Sequence, residues 1–467
     1  MKLKTILATV VAAGLSSSAM AQTIIDITGA TAFRRATMQG IVNAFNSDGG
    51  ALGTSWNAAH DFAATGVNNT SQLLGSNKAI FKGKFPGIDG TTIIRTAFSG
   101  STEGMNNIAG NTLVPVFDSA ATVPAGITAS FTGATTTVRC KFAFSDVYQE
   151  TSPVRNETLN PVGSSKVGVV TFAMVASRSA TNTNTFGRLV NVTQKHCAAL
   201  ANLGQFRLSL ITGHTNDGNI RVLFTGRNDG SGTRSACLTE FQYGVANTVK
   251  HYVGTQTGLS GGVASALTLV PVGANLTNTN VPFRTGRAND ASTLWGNTVV
   301  GNGGYSSGSG VTGLLTNATT NVTIYNGSSS TPTASNAQAV IISFLSTSDV
   351  RSITAPTNLL AKVLGFGGVT ITPLATNDTN NYLINGVPTG FSLEDFNKIT
   401  RGAYSPWSYQ HMYYHGELTD PNVQTFYTKM TETGGFLEQG LQATANGVRM
   451  SDMYVERLDD GTPIIPL

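Results

Sequence analysis

Arg227-Asn228-Asp229-Gly230-Ser231-Gly232-Thr233 is the stretch whose residue types are best suited to chemistry, and the chemistry is the cradling of an oxyanion. Arg227 offers a planar fork of donors that matches two oxygens of a tetrahedral anion. Gly230 and Gly232 let the backbone approach closely, while Ser231 and Thr233 add hydroxyl donors. Asp229 can orient Arg227. The stretch follows NIRVLFT (219–225), which reads as a strand, and continues into SACLTEFQYGV, which reads as a helix. The N–H groups of a helix start therefore lie beside the hydroxyls, where a negative charge is favoured. The plainer reading is an ordinary capped helix carrying a surface arginine.

Such a turn needs a strand and a helix to hold it, and the pattern recurs along the chain. Ile24, Ile25 and Ile27 predict a buried strand, Thr28-Gly29-Ala30-Thr31 a turn, and Met38, Ile41, Val42 and Phe45 a helix over 34–45. Residues 91–110 repeat the order of strand, Gly-Ser turn and helix. Residues 110–140 read as weak strands, closing on an apolar strand that ends at Ser145-Asp146. Residues 166–176 (KVGVVTFAMVA) form a continuous apolar run, expected of a strand buried on both faces. A helix is expected over 192–210, a loop into a helix at GNGGYSSGSGVTGLL, and a strand at AVIISFLS. An aromatic strand is expected at YSPWSYQHMYY, and an amphipathic helix starts at Asp420. Residues 47–90 give no firm element, and there is no solenoid period or coiled-coil heptad. Strands alternating with helices predict α/β domains, in which ligands sit at the carboxyl ends of strands.

Composition narrows the setting. Lys2 and Lys4, the apolar run from Ile6 to Leu15, and Ala19-Met20-Ala21 make up a secretory signal with cleavage expected after Ala21. The run is too short to span a bilayer, and no cysteine stands at the cleavage point to carry a lipid anchor. A periplasmic or secreted protein of about 446 residues is expected, enough for two or three domains. Charged residues are 12% of the chain, with Gly, Ala, Ser, Thr and Asn filling the gap, and the net charge of +4 is too small to argue for nucleic acid. Cys140, Cys197 and Cys237 fit no zinc motif. An oxidising compartment allows a Cys197–Cys237 bridge with Cys140 left over, or three buried thiols that never pair; both stay open.

The R-x-D-G-S-G-T pattern of Arg227–Thr233 resembles that of the periplasmic phosphate-binding protein family, with all six fixed letters present. Further stretches resemble the family's landmarks in order. They are Thr28-Gly29-Ala30-Thr31-Ala32-Phe33 (one residue shorter), Gly100-Ser101-Thr102-Glu103-Gly104, Phe144-Ser145-Asp146, the glycine-rich 303–311, and the aromatic 404–414. The resemblance implies a type II periplasmic-binding-protein fold, α/β and two-lobed. Each lobe would be a mixed, mostly parallel sheet flanked by helices, with the ligand cleft between them. It implies lobe 1 from 22–170 and 345–467 and lobe 2 from 171–344, the chain crossing near 166–176 and again near 340–348. It places ligand groups on Thr31, Phe33, Ser101, Asp146, Arg227, Asp229, Ser231, Gly232 and Thr233. Glu103 stands where the family often has glycine and would repel an anion if it pointed inward.

Asp146 is informative in that set. Phosphate carries an O–H at neutral pH and sulfate does not, so an ionised Asp146 can accept from phosphate but faces sulfate unpaired. An unpaired buried charge costs several kcal/mol, and about 1.4 kcal/mol is tenfold in affinity. The family implies a monomeric, non-enzymatic receptor without cofactor that hands inorganic phosphate or a related oxyanion to a membrane ABC permease. A second reading is a secreted surface or matrix protein that keeps the scaffold, motivated by low charge and by extra length in 47–90, 105–140 and 240–340. A third is a phosphoesterase using the same cradle. No metal site is expected: on a strand His411 and His415 lie about 13 Å apart, too far for one ion.

Overall fold

The computed structural model describes residues 22–62, 70–161, 166–260, 263–271, 304–305, 307–326, 333–354 and 359–467. Residues 1–21, on which the secretory signal is expected, all of 272–303, and Ser306 of the glycine-rich stretch lie outside the described residues. In chain order, the elements that matter for the site begin with β1 (Thr23–Gly29), α1 (Arg34–Asn46), β2 (Trp56–His60), β3 (Lys78–Gly83) and β4 (Thr92–Phe98). They continue with α2 (Ser101–Ala109), β5 (Phe142–Ser145), β6 (Lys166–Ser177), β7 (Arg221–Phe224) and α3 (Gly232–Glu240). The remainder are α4 (Gly308–Asn317), β8 (Thr333–Ser346), α5 (Thr347–Arg351), β9 (Ala361–Phe366), β10 (Trp407–His415) and α6 (Phe436–Thr444).

Two sheets share one strand. In the first, the order runs β2, β3, β4, β1, β5, β10 and β6, with β1 parallel to β4 and β5. The first half of β6, Lys166 to Thr171, pairs with β10. Its second half, Phe172 to Ser177, pairs with β8 and β9 in the second sheet. There β7 lies parallel to β8. This gives a mixed α/β protein of two lobes, with β6 buried along nearly its whole length because both sheets cover it. The predicted strand over 166–176 is thus present, and its continuous apolar character has a cause. A strand crossing between two cores has no solvent face on which to place polar residues.

The return crossing differs from the expected division, which gave 345–467 to lobe 1. β9 is hydrogen-bonded to β6 and to 191–192 within the second sheet, and the chain rejoins the first sheet at β10. The helix expected over 192–210 is also shorter. It spans Gln194–Leu203, capped by Thr193, and Gly204 at φ +76° turns the chain into a strand at Gln205–Arg207. In 47–90, where no element was expected, β2 and β3 form, and Trp56 stacks on Phe45 of α1 at 5.8 Å. α1 in turn crosses α6 closely: a Cβ on Gly440 would sit 2.1 Å from the Ala36 carbonyl, and one on Gly40 would sit 2.6 Å from that of Phe436. All three cysteines are free and buried, and burial pushes each thiol up. Among the described residues no helix is long and apolar enough to cross a membrane.

Asp460 shows how the C-terminal segment is held. Its Oδ2 accepts from the Tyr148 N–H at 2.7 Å and from the Thr151 hydroxyl, and burial pushes its carboxyl up to about 7. The folded protein therefore holds a proton on Asp460 that the unfolded chain releases near pH 4. Its contribution to stability is full below that pH and is lost as pH rises to about 7. Asp460→Asn is expected to remove a decline of roughly 3 kcal/mol between pH 4 and 7. Urea unfolding at several pH values checks it, and parallel wild-type and variant profiles would refute it.

Candidate functional site

The three parallel strands β1, β4 and β5 end on one edge of the first sheet, and each end supplies a group. β7 ends opposite them and delivers the 225–233 turn into α3. Ser231 is the N-cap of α3 and its hydroxyl accepts from the Arg234 N–H at 3.4 Å. The first N–H groups of such a helix have no intrahelical acceptor, so the Gly232-Thr233 end attracts negative charge. Arg227 is 4% exposed. Its Nε donates to the Tyr305 carbonyl at 3.1 Å and its Nη1 to the Thr31 hydroxyl across the lobes at 3.3 Å. Burial lowers its pKa to about 10, so it remains a cation at neutral pH.

The first lobe supplies the acceptor. Asp146 follows β5 directly and is buried. Its Oδ1 takes the Ser101 hydroxyl and its Oδ2 takes the Thr233 hydroxyl at 3.1 Å, while its own N–H donates to Ser101 Oγ at 3.2 Å. The Ser408 hydroxyl fixes the Asp146 carbonyl at 2.6 Å. Burial raises the Asp146 pKa, and the bonds from Ser101 and Thr233 and the charge of Arg227 act against that rise. The lobes touch here directly. Thr102 Oγ1 donates to the Asp229 carbonyl at 2.9 Å and Glu103 N to that of Gly230 at 3.3 Å. Gly100, at φ +147°, is required because a Cβ there would sit 2.3 Å from the Gly230 oxygen. Hydroxyls and a guanidinium thus converge from two lobes on a single carboxylate. That arrangement can hold an anion with several acceptor oxygens and one O–H.

The structure aligns at low identity with solved phosphate-transport proteins. One, assigned as a phosphate ABC transporter substrate-binding protein with bound phosphate, is from Clostridium perfringens. It shows 9% identity and a TM-score of 0.43, over 92% of this chain and 100% of that one. An ABC-type phosphate transport receptor from Vibrio cholerae shows 11% identity and a TM-score of 0.36, over 91% and 96% of the two chains. PstS from Borrelia burgdorferi shows 10% and 0.33, over 90% and 97%. No family model matches the chain, and no curated protein matches it. At such identities and scores the case for function rests on the residues themselves.

Of the residues singled out in the sequence, Thr31, Ser101, Asp146, Arg227, Ser231, Gly232 and Thr233 come together between the lobes. Phe33 is placed differently. Its ring is fully buried against Phe144 at 5.4 Å and its N–H donates to the Ala30 carbonyl, so it supports the Thr31 turn from the core. Asp229 is buried, and its charge acts on Arg234 in the first turn of α3. Glu103 is half-buried in the first turn of α2. His411 is buried in a row of rings, 4.4 Å from Tyr148, and His415 is exposed. Among the described residues no group of His, Cys, Asp and Glu could hold a metal ion. Sequence reasoning missed Thr102, Ser408 and Asp349. The charge of Asp349 acts on Arg227, and only the folding of α5 against α4 brings it near.

Proposed function

We propose that the chain is an extracytoplasmic solute-binding receptor for inorganic phosphate or a related protonated oxyanion, serving an ABC permease. The observation that carries this reading is Asp146, a buried carboxylate set among Ser101, Thr233 and Arg227. A site built only to attract anions would leave a carboxylate out. One that must choose a protonated anion needs an acceptor for the O–H, and Asp146 supplies it. The R-x-D-G-S-G-T stretch and its helix N-terminus supply the donors that surround the remaining oxygens.

Calorimetric titration with phosphate, with sulfate as control, tests the proposal. Phosphate is expected to bind at least about a hundredfold more tightly than sulfate, since sulfate leaves the carboxylate unpaired. Asp146→Asn is expected to weaken phosphate and narrow that gap, because an amide can donate to either anion. Binding of neither anion to the wild type would sink the receptor reading. It would favour a surface protein whose lobes are held together by their own contacts through Thr102 and Glu103.

A further inference from the structure

The segment after Asp146 returns to the first sheet, where Leu159 and Asn160 pair with His415 and Tyr414 of β10. The C-terminal segment meets it there. The Tyr148 N–H donates to Asp460 Oδ2 at 2.7 Å, the Gln149 N–H to the Tyr413 hydroxyl at 3.2 Å, and the Arg457 N–H to the Tyr409 hydroxyl at 3.2 Å. These two segments, β10 and the start of β6 enclose a cleft of about 640 Å³. Small-molecule sites commonly hold about 300–1,000 Å³. No residue of the anion constellation lines this cleft. Tyr413 and Ser408 lie at odd and even positions of β10, so the cleft sits on the face of the strand opposite the hydroxyl that fixes Asp146.

Tyr148, Tyr413 and Leu159 give the cleft an apolar floor. It is a stiff one, because the rings stand in a row: His411 lies 4.4 Å from Tyr148 and stacks on Tyr413 at 5.4 Å. Around the floor, Lys166 and Arg155 supply positive charge, and Glu150, Glu157, Glu456 and Asp459 negative. Among the described residues none of these six lies within ion-pair distance of an opposite charge. Arg457, which also borders the cleft, is committed to Glu240. Lys166, Glu456 and Asp459 are half-buried, so they are more than a solvated rim. The Lys166 ammonium is held 4.0 Å over the Tyr409 ring. Burial lowers its pKa and the charge of Glu456 acts against that fall, while burial raises the pKa of Asp459 and Glu150 adds to the rise. A ligand of one sign would meet repulsion from half of this lining. A ligand carrying both signs answers each set with a charge-assisted hydrogen bond, and its body covers the rings.

We propose that this cleft is a second binding site, for a zwitterion with an apolar body, of the amino-acid or short-peptide class. The ammonium group goes to Glu456 and Asp459, the carboxylate to Lys166, and the apolar side chain to Tyr148, Tyr413 and Leu159. The inference does not rest on the anion reading of Asp146 and Arg227, since the two sites share no residue.

Ligand-observed NMR titration of the full mature chain tests it with the dipeptide alanyl-phenylalanine, its N-acetyl form and its C-terminal amide. The dipeptide is expected to bind more tightly than about 100 μM, and each masked form at least about tenfold more weakly. Lys166→Met is expected to weaken the dipeptide by about tenfold and to move the amide, which has no carboxylate to lose, by less than about threefold. Glu456→Gln should do the converse, weakening the dipeptide while the N-acetyl form stays within about threefold. An amide as tight as the dipeptide would make the cleft a cation site, and an N-acetyl form as tight would make it an anion site; either result overturns the proposal. So does the absence of dipeptide binding, and if phosphate still binds in a separate titration, the receptor reading survives that failure. The comparison of masked and unmasked dipeptides on the wild type decides the matter even if a variant fails to fold.

Discussion

Gly232→Ala is expected to weaken anion binding by about a hundredfold or more while leaving both lobes folded. A Cβ at this position would lie 1.8 Å from Asp146 Oδ1 and 2.4 Å from Ser101 Oγ, separations that real Cβ atoms essentially never show. Both atoms belong to the other lobe. Within its own lobe Gly232 is the first residue of α3 and has no left-handed backbone, so alanine suits the local conformation. Helix propensity alone favours the change, by up to about 1 kcal/mol. The clash is therefore confined to the contact between lobes. It is relieved only by moving the start of α3 away from Asp146, which also breaks the bond from Thr233. Calorimetry and a thermal melt read the two parts separately. Lost binding with a nearly unchanged melting temperature is the expected pair. Binding within about threefold of wild type would mean that Asp146 does not face α3 as described.

The cradle was legible because its chemistry is local. Arg227, Ser231 and Thr233 stand within one turn, and the strand before them and the helix after them are apparent from apolar patterning. Asp146 and Ser101 are local in type only. Each ends a strand or starts a helix, but nothing in their own neighbourhoods says that Thr233 will reach one of them from 87 positions away. The resemblance to a family joined them in the sequence, and packing joins them in the structure. Asp349 was illegible for the same reason in a stronger form, since it lies in the five-residue α5 and matters through charge alone. β6 was read correctly as buried on both faces, yet an apolar run cannot say that two different sheets bury it. β2 and β3 escaped notice because WNAAH and KAIFKG are short strands set among glycines and polar residues. The helix expected over 192–210 was drawn too long because its apolar spacing continues past Gly204, where the backbone turns left-handed and the helix stops.

Arg457→Ala is expected to destabilise the protein by about 3–5 kcal/mol, the range for removing one partner of a buried ion pair. Arg457 Nη1 meets Glu240 Oε2 at 3.0 Å, with side chains 4% and 8% exposed. The same nitrogen donates to the Trp407 carbonyl at 3.1 Å, Nη2 donates to the Ser405 carbonyl, and the guanidinium lies 4.6 Å over the Trp407 ring. The Ser405 hydroxyl completes the set by donating to Glu240 Oε1. Truncation would leave a carboxylate and two carbonyls without this donor in a space that water enters poorly. Glu240 is the last residue of α3, and the first turn of that helix carries the anion cradle. The pair thus fixes the far end of the helix whose near end meets Asp146, and the same substitution is expected to weaken phosphate binding as well. Urea unfolding followed by circular dichroism measures the loss, with a double replacement Glu240→Leu, Arg457→Met as control. If the double variant recovers most of the stability lost in Arg457→Ala, the pair's role is to place α3 rather than to add net stability. Phosphate affinity should then remain low although stability returns. A loss below about 1 kcal/mol on truncation would indicate a solvated pair, at odds with its burial, and would remove the link between the C-terminal segment and the cradle.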